Sequence, residues 1–182
     1  MHEYWQGKKV RLRAMEETDG GLFYEILHTQ EIQINEADIR VPASRASCDA
    51  FAAEQAAKGN SETSPFLVIE DLQGNAVGMA TPSIEDERVG VFTCGMNILP
   101  RYQRMGYASD ALIAILRFYF EQMRCQKFNA SVYSYNTASN AMCRRLGLVQ
   151  EGVRRSTVFT GGKFYDEILY GLTLDEYRAL EK

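Results

Sequence analysis

Apolar and polar positions alternate in Val10-Arg-Leu-Arg-Ala-Met15, which predicts a first β-strand. Thr18 or Asp19 then caps a helix whose apolar positions are Leu22, Phe23, Ile26 and Leu27. Gln30 to Val41 follows no clean period, and Pro42 breaks it. Ser44 or Ser47 starts a second helix that runs to about Lys58 and stops at Gly59-Asn60. Phe66 to Glu70 and Ala76 to Ala80 read as a strand pair around the turn residues Asp71 to Asn75. Glu85 to Arg88 reads as a charged loop. Val89 to Leu99 is a long strand interrupted by Gly90 and Gly95 and ended by Pro100. Gly106 to about Met123 carries a strong helical stripe. Beyond it come a strand at Phe128 to Tyr133, a helix from about Ala138 to Leu146, and two strands, Val149 to Phe159 and Phe164 to Leu172, joined at Gly161-Gly162. Leu174 to Leu180 closes the chain as a short helix.

This order predicts a mixed α/β layer fold with one sheet, in one domain over residues 1–182. The strand at 89–99, the helix at 106–123 and the strand at 128–133 form a β-α-β crossover with parallel strands. Composition narrows the class further. With 46% apolar and 24% charged residues the chain is neither disordered nor fibrous. A net charge of -4 lacks the basic footprint of a nucleic-acid binder. Cys48, Cys94, Cys125 and Cys143 include no C-x-x-C pair, so no metal site is expected and the thiols read as reduced. No apolar run is long enough to span a membrane and no apolar signal core follows Met1, so a cytoplasmic protein is expected. Of the two histidines, His2 is the second residue of the sequence and His28 is expected at a helix end, and neither reads as a metal ligand or catalytic base.

The chemistry concentrates where the long strand meets the long helix. A helix start has unpaired N–H groups and a positive dipole end, which suit a phosphate. Gly106 allows close backbone approach, and Ala108 is small for the same reason. Arg101 and Arg104 add charge, and Ser109 adds a hydroxyl. One glycine builds neither a dinucleotide fingerprint nor a P-loop. The residues alone fit both a phosphate-binding turn and a plain helix start with two solvated arginines.

Gln103-Arg-Met-Gly106-Tyr-Ala108 resembles the Q/R-x-x-G-x-G/A signature of the GNAT N-acetyltransferase superfamily. Asn136-Thr-Ala-Ser139-Asn140 through Leu146-Gly147-Leu148 is similar to that family's second motif, N-x-x-S/A followed by G-F. Val10-Arg-Leu-Arg13 and Phe164 to Leu172 resemble the branch holding ribosomal-protein N-terminal and spermidine-type acetyltransferases. The resemblance implies a largely antiparallel sheet with a splayed crossover at its centre and helices on both faces. It implies acetyl-CoA as cosubstrate and no metal. Ile98 and Leu99 would offer backbone groups to the pantetheine arm. The turn of Gln103, Arg104, Met105, Gly106, Tyr107 and Ala108, flanked by Arg101 and Ser109, would take the pyrophosphate. Asn136 would bind near the pantetheine, with Ser139 and Asn140 beside it, and Asn136 is equally a favoured helix cap.

Acetyl transfer to an amine needs a neutral nitrogen and stabilisation of an oxyanion, here expected from backbone N–H groups between Asn97 and Leu99. The position where many relatives hold a glutamate base is Thr93 or a neighbour, and Val89 to Leu99 holds no carboxylate. Where many relatives hold a tyrosine acid, seven residues after the motif asparagine, this chain has Cys143, either a proton donor or a buried packing residue. Glu70, Glu85, Glu87 and Asp166 stand as base candidates, each also readable as a surface carboxylate. Tyr133 and Tyr135 are expected to flank the groove, either lining the acceptor site or packing as core or rim aromatics. The resemblance implies that the acidic and aromatic residues between Glu25 and Glu36 shape an amine pocket. The expected acceptor is a small-molecule amine, such as a polyamine, or a protein N-terminus, with no nucleic-acid or membrane partner. The sheet edge or final hairpin is expected to form a homodimer. Two other functions fit the residues: a sensor or scaffold that binds CoA without turnover, and an interaction protein whose Gly106 turn is only a helix start.

Overall fold

A computed structural model describes residues 3–180; His2 lies outside them. The strands are β1 (Val10–Ala14), β2 (Leu67–Asp71), β3 (Ala76–Asp86), β4 (Val91–Ile98), β5 (Lys127–Tyr133), β6 (Val149–Thr160) and β7 (Lys163–Thr173). The helices are α1 (Gly20–His28), α2 (Gln30–Asn35), α3 (Arg45–Lys58), α4 (Tyr107–Glu121), α5 (Thr137–Arg145) and α6 (Leu174–Leu180). All seven strands join one sheet in the order β1-β2-β3-β4-β5-β7-β6. Each neighbouring pair is antiparallel except β4 and β5.

The sheet separates two cores. One gathers Leu67, Ile69, Val77, Phe92, Ile98, Phe128 and Leu172 against Ala111, Leu112, Ile115, Tyr119, Cys143 and Tyr177, placing α4, α5 and α6 on that face. The other gathers Val68, Met79 and Leu99 against Ile26, Ile32 and Ala52, placing α1, α2 and α3 opposite. Phe92 and Tyr119 stack at 4.8 Å and join β4 to α4 at the middle of the first core.

The elements differ from the sequence reading at three places. The aperiodic stretch after Thr29 contains α2, held mainly by buried Ile32. Strand β3 runs past Ala80 to Asp86, through Pro82 and into the expected charged loop. Pro82 fits because β2 has already ended at the Leu67–Ala80 pair, so the missing N–H points where no strand pairs. Asp19 does not cap α1 with its side chain. Its carboxylate accepts from Arg13 at 2.7 and 2.9 Å and from the Glu16 N–H at 2.8 Å. Ser44 does cap α3, accepting from Ser47 N–H. Gly161 and Gly162 both have positive φ, as a two-residue hairpin turn requires.

Candidate active site

The centre of the sheet opens. β4 and β5 pair only at Val91–Lys127 and Phe92–Phe128, then part. Each stays paired on its outer side, β4 with β3 and β5 with β7, so the gap is a cleft between two supported strands. Leu99 N–H donates to Val77 O at 2.9 Å, which fixes the alternation along β4. By that alternation Asn97 and Gly95 turn their main-chain groups to β3, and Cys94, Met96 and Ile98 turn theirs into the cleft. Leu99 therefore has no free N–H, which β3 holds, and its carbonyl already accepts from Tyr102 N–H at 2.8 Å. Ile98 does face the cleft, and its carbonyl accepts from Gln103 Nε2 at 3.2 Å.

The chain leaves β4 through Pro100–Tyr102 and reaches α4 at Gly106, whose φ of 85° is left-handed. A β-carbon there would lie 3.0 Å from Lys9 Nζ. Arg104 also has positive φ, 62°. No side chain caps α4. The first amide of the helix to find a protein acceptor is Asp110, bonded to Gly106 O at 3.1 Å. Among the described residues the N–H groups of Gly106, Tyr107, Ala108 and Ser109 meet no acceptor, whereas α3 and α5 are capped by Ser44 and Asn136. These free donors, the absent Cβ and the surrounding cations fit a pyrophosphate.

Two of those cations were not singled out in the sequence. Lys9 Nζ donates to Met105 O at 2.7 Å, and Arg145 Nη2 donates to Ser109 Oγ at 2.8 Å. Arg104 is exposed beside them. Arg101 is turned away: it forms an ion pair with Glu25 on α1 and lies over the Tyr102 ring.

Across the cleft, Asn136 caps α5, its Oδ1 accepting from Ser139 N–H at 3.1 Å. Asn140 is buried and fully engaged. It donates to Tyr133 O at 3.0 Å and Asn136 O at 2.8 Å, and accepts from Tyr170 Oη at 2.9 Å. It thus fastens the end of β5 to the start of α5. Cys143 packs in the core, 2% exposed, and burial pushes its thiol up to about 11.

The α2 end crosses the mouth on the opposite face. Asn97 Nδ2 donates to Glu36 Oε1 at 2.8 Å, and Tyr135 Oη donates to Ile34 O at 2.6 Å. Tyr133 and Tyr135 stack at 5.7 Å beside it. The carboxylates named from sequence lie elsewhere. Glu70 is gripped by Arg11 and Arg13, which hold it below its usual range. Glu85 flanks the closed end of the β4–β5 pair, its Oε2 accepting from Asn129 Nδ2 at 3.4 Å, and Glu87 follows in the turn after β3. Asp166 Oδ1 accepts from Ser156 N–H at 2.9 Å. Glu36 joins α2 to β4 over 61 residues of sequence, a link no local pattern reveals. No group of metal-ligating side chains occurs among the described residues, and no described helix is long and apolar enough to cross a membrane.

A family model described as an acetyltransferase (GNAT) domain matches residues 9–149. The chain is 31% identical over 174 residues to the SPbeta prophage-derived uncharacterized N-acetyltransferase YokL of Bacillus subtilis (strain 168), covering 96% of this chain and 95% of that one. The fold is similar to that of spermidine N-acetyltransferase from Vibrio cholerae in complex with CoA and spermine, with a TM-score of 0.79 at 19% identity over 93% of this chain and 98% of that chain. It is also similar to the microcin C7 self-immunity acetyltransferase MccE in complex with acetyl-CoA and AMP, with a TM-score of 0.77 at 18% identity over 91% and 93%.

Proposed function

The chain belongs to the GNAT acetyltransferase family and is an N-acetyltransferase, and from that premise we propose that it draws acetyl-CoA into the β4–β5 cleft and acetylates a primary amine entering beneath α2. The observation that carries this reading is the placement of free donors. The cleft-facing groups of Met96 and Ile98 lead through one short connection to the uncapped start of α4. Strand and helix thus offer hydrogen bonds for an extended amide chain and for the phosphates at its far end.

Acetyl-CoA, when bound, supplies the activated acetyl thioester. The protein orients and polarises. Main-chain N–H groups of Met96 and Ile98 face the cleft and would stabilise the charge that grows on the acetyl oxygen, a role worth about 3–4 kcal/mol per donor in other acyl-transfer enzymes. Gly106 to Ser109 hold the phosphates, with Arg104 and Arg145 adding charge. Asn136 keeps the α5 start in place, with Ser139 beside it, and Asn140 keeps the rim of β5 rigid.

Glu36 is the carboxylate on the acceptor side. It would attract a protonated amine and take one proton, directly or through water, so that a neutral nitrogen attacks the thioester carbon. The C–S bond then breaks, and the departing CoA thiolate takes the nitrogen's second proton through water and leaves as the thiol. Asn97 holds one of its oxygens and leaves the other open. The acceptor is an amine of the polyamine, small-molecule or protein N-terminal kind. Cys143 takes no part, because its thiol is buried in the core.

Incubation with acetyl-CoA and a panel of polyamines, small primary amines and N-terminal peptides, following thiol release, tests the reading. Release that depends on the amine and falls in Glu36→Gln supports it. Binding of CoA with no release for any amine class overturns the catalytic part.

A further inference from the structure

We propose that Lys9, immediately before β1, is a cofactor-specificity residue that contacts the pyrophosphate, so that the segment leading into the first strand completes the phosphate site. The proposal rests on the acetyl-CoA reading above and adds a ligand from outside both sequence motifs.

The segment before β1 is built to hold Lys9 in place. Asp110, in the first turn of α4, accepts the amide N–H groups of Lys8 at 3.0 Å, Lys9 at 2.7 Å and Val10 at 3.1 Å. Gly7 N–H closes the turn on Val10 O at 2.8 Å. A β-carbon on Gly7 would sit 2.1 Å from Asp110 Oδ2, so only glycine lets the chain wrap this close. The carboxylate of α4 therefore clasps the backbone that carries Lys9.

From that anchor the Lys9 side chain lies across the phosphate turn. Its Nζ donates to Met105 O at 2.7 Å and stands 3.0 Å from the place a Gly106 β-carbon would take. An ammonium has three N–H donors, and Met105 O uses one. Among the described residues no carboxylate forms an ion pair with Lys9, Arg104 or Arg145, whereas Arg11, Arg13, Arg45, Arg101 and Arg154 are each paired with one. In a chain of net charge -4, three unpaired cations around one uncapped helix start form a local positive site. The remaining Lys9 donors meet an anion there as charge-assisted hydrogen bonds.

Calorimetric titration of the wild type, Lys9→Met and Lys9→Arg tests this, with CoA and separately with pantetheine, which lacks the phosphates. Methionine keeps the length of the side chain, and melting of the free variants reads folding separately. The expected result is that Lys9→Met weakens CoA binding about three- to tenfold, as for a partly exposed charged hydrogen bond. The loss should shrink with added salt, leave pantetheine unchanged, and be restored by Lys9→Arg. Equal CoA affinity in the wild type and Lys9→Met overturns the proposal, as does a proportional loss for pantetheine. A wild type that binds no CoA overturns the cofactor reading itself, a distinct failure from wild-type binding that Lys9→Met leaves unaltered.

Discussion

Gly106 is the residue at which conformation and function are most tightly joined. Its φ of 85° is closed to a β-branched side chain, and a β-carbon would also press on Lys9 Nζ at 3.0 Å. Gly106→Val should therefore reshape the turn and abolish CoA binding, while costing the fold only about 1–2 kcal/mol; calorimetry and thermal melting read the two effects apart. Glu36 is the residue proposed to act on the other substrate. Glu36→Gln should lower kcat/KM for the amine about 100-fold, the usual scale of a lost general base, with CoA affinity unchanged. A Glu36→Gln enzyme with wild-type kcat/KM would show that the proton leaves by another route. Cys143 serves as the control. Its thiol, raised to about 11 by burial, stays protonated at neutral pH. Cys143→Ala should keep the wild-type pH–rate profile and lose only stability, about 1–2 kcal/mol. Of these three, Gly106 and Cys143 stand in recognisable motifs. Glu36 was visible only as the edge of an acidic stretch, because the hydrogen bond that gives it a role comes from Asn97 on another element.

At the scale of elements, the site exists because β4 and β5 separate after two residue pairs while their outer neighbours hold them. The strands and long helices were legible because their burial follows period 2 or 3.6. Helix α2 was not, since Ile32 and Ile34 alternate like a strand and only Ile32 is buried. The extension of β3 was hidden by Pro82 and by acidic residues, and pairing with β4 overrides both. The cations at the α4 start were equally hidden, because Lys9 reaches Met105 across 96 residues and Arg145 reaches Ser109 across 36. A second junction of elements sets the acid stability. Arg13 on β1 joins Asp19 before α1 and Glu70 on β2. Burial opposes ionisation of Asp19, but the Arg13 hydrogen bonds and the Glu16 N–H prevail and lower its pKa; for Glu70 the Arg13 hydrogen bond dominates. Both folded values lie below the unfolded values of 3.8 and 4.5. The stabilisation is therefore fully present above about pH 5, and is lost as pH falls through the folded values. Arg13→Met should cost about 3 kcal/mol at pH 7, the scale for breaking a buried pair, and should flatten the fall in stability that the wild type shows under acid. Urea unfolding at pH 7 and below pH 4 checks both.

The whole molecule is a single sheet with one opening between β4 and β5, and in the proposed reading its two substrates would enter that opening from opposite sides. Helix α4 and the α5 start lie on one side of it and the end of α2 on the other; in the proposed function the first side takes phosphate and pantetheine and the second the amine. In that reading the cofactor would lie where both sequence motifs fall, and the acceptor where the sequence was least patterned. It explains why acetyl transfer was legible in the chain and the identity of the amine was not. The central claim is that the molecule holds acetyl-CoA through the Gly106 turn, and its most direct test is thermal melting with and without acetyl-CoA, for the wild type and for Gly106→Val. A ligand at about 100 times its Kd stabilises by about 2.7 kcal/mol, so the wild type should gain roughly 5–10 °C and Gly106→Val nothing. No gain in the wild type, or an equal gain in Gly106→Val, would contradict the account.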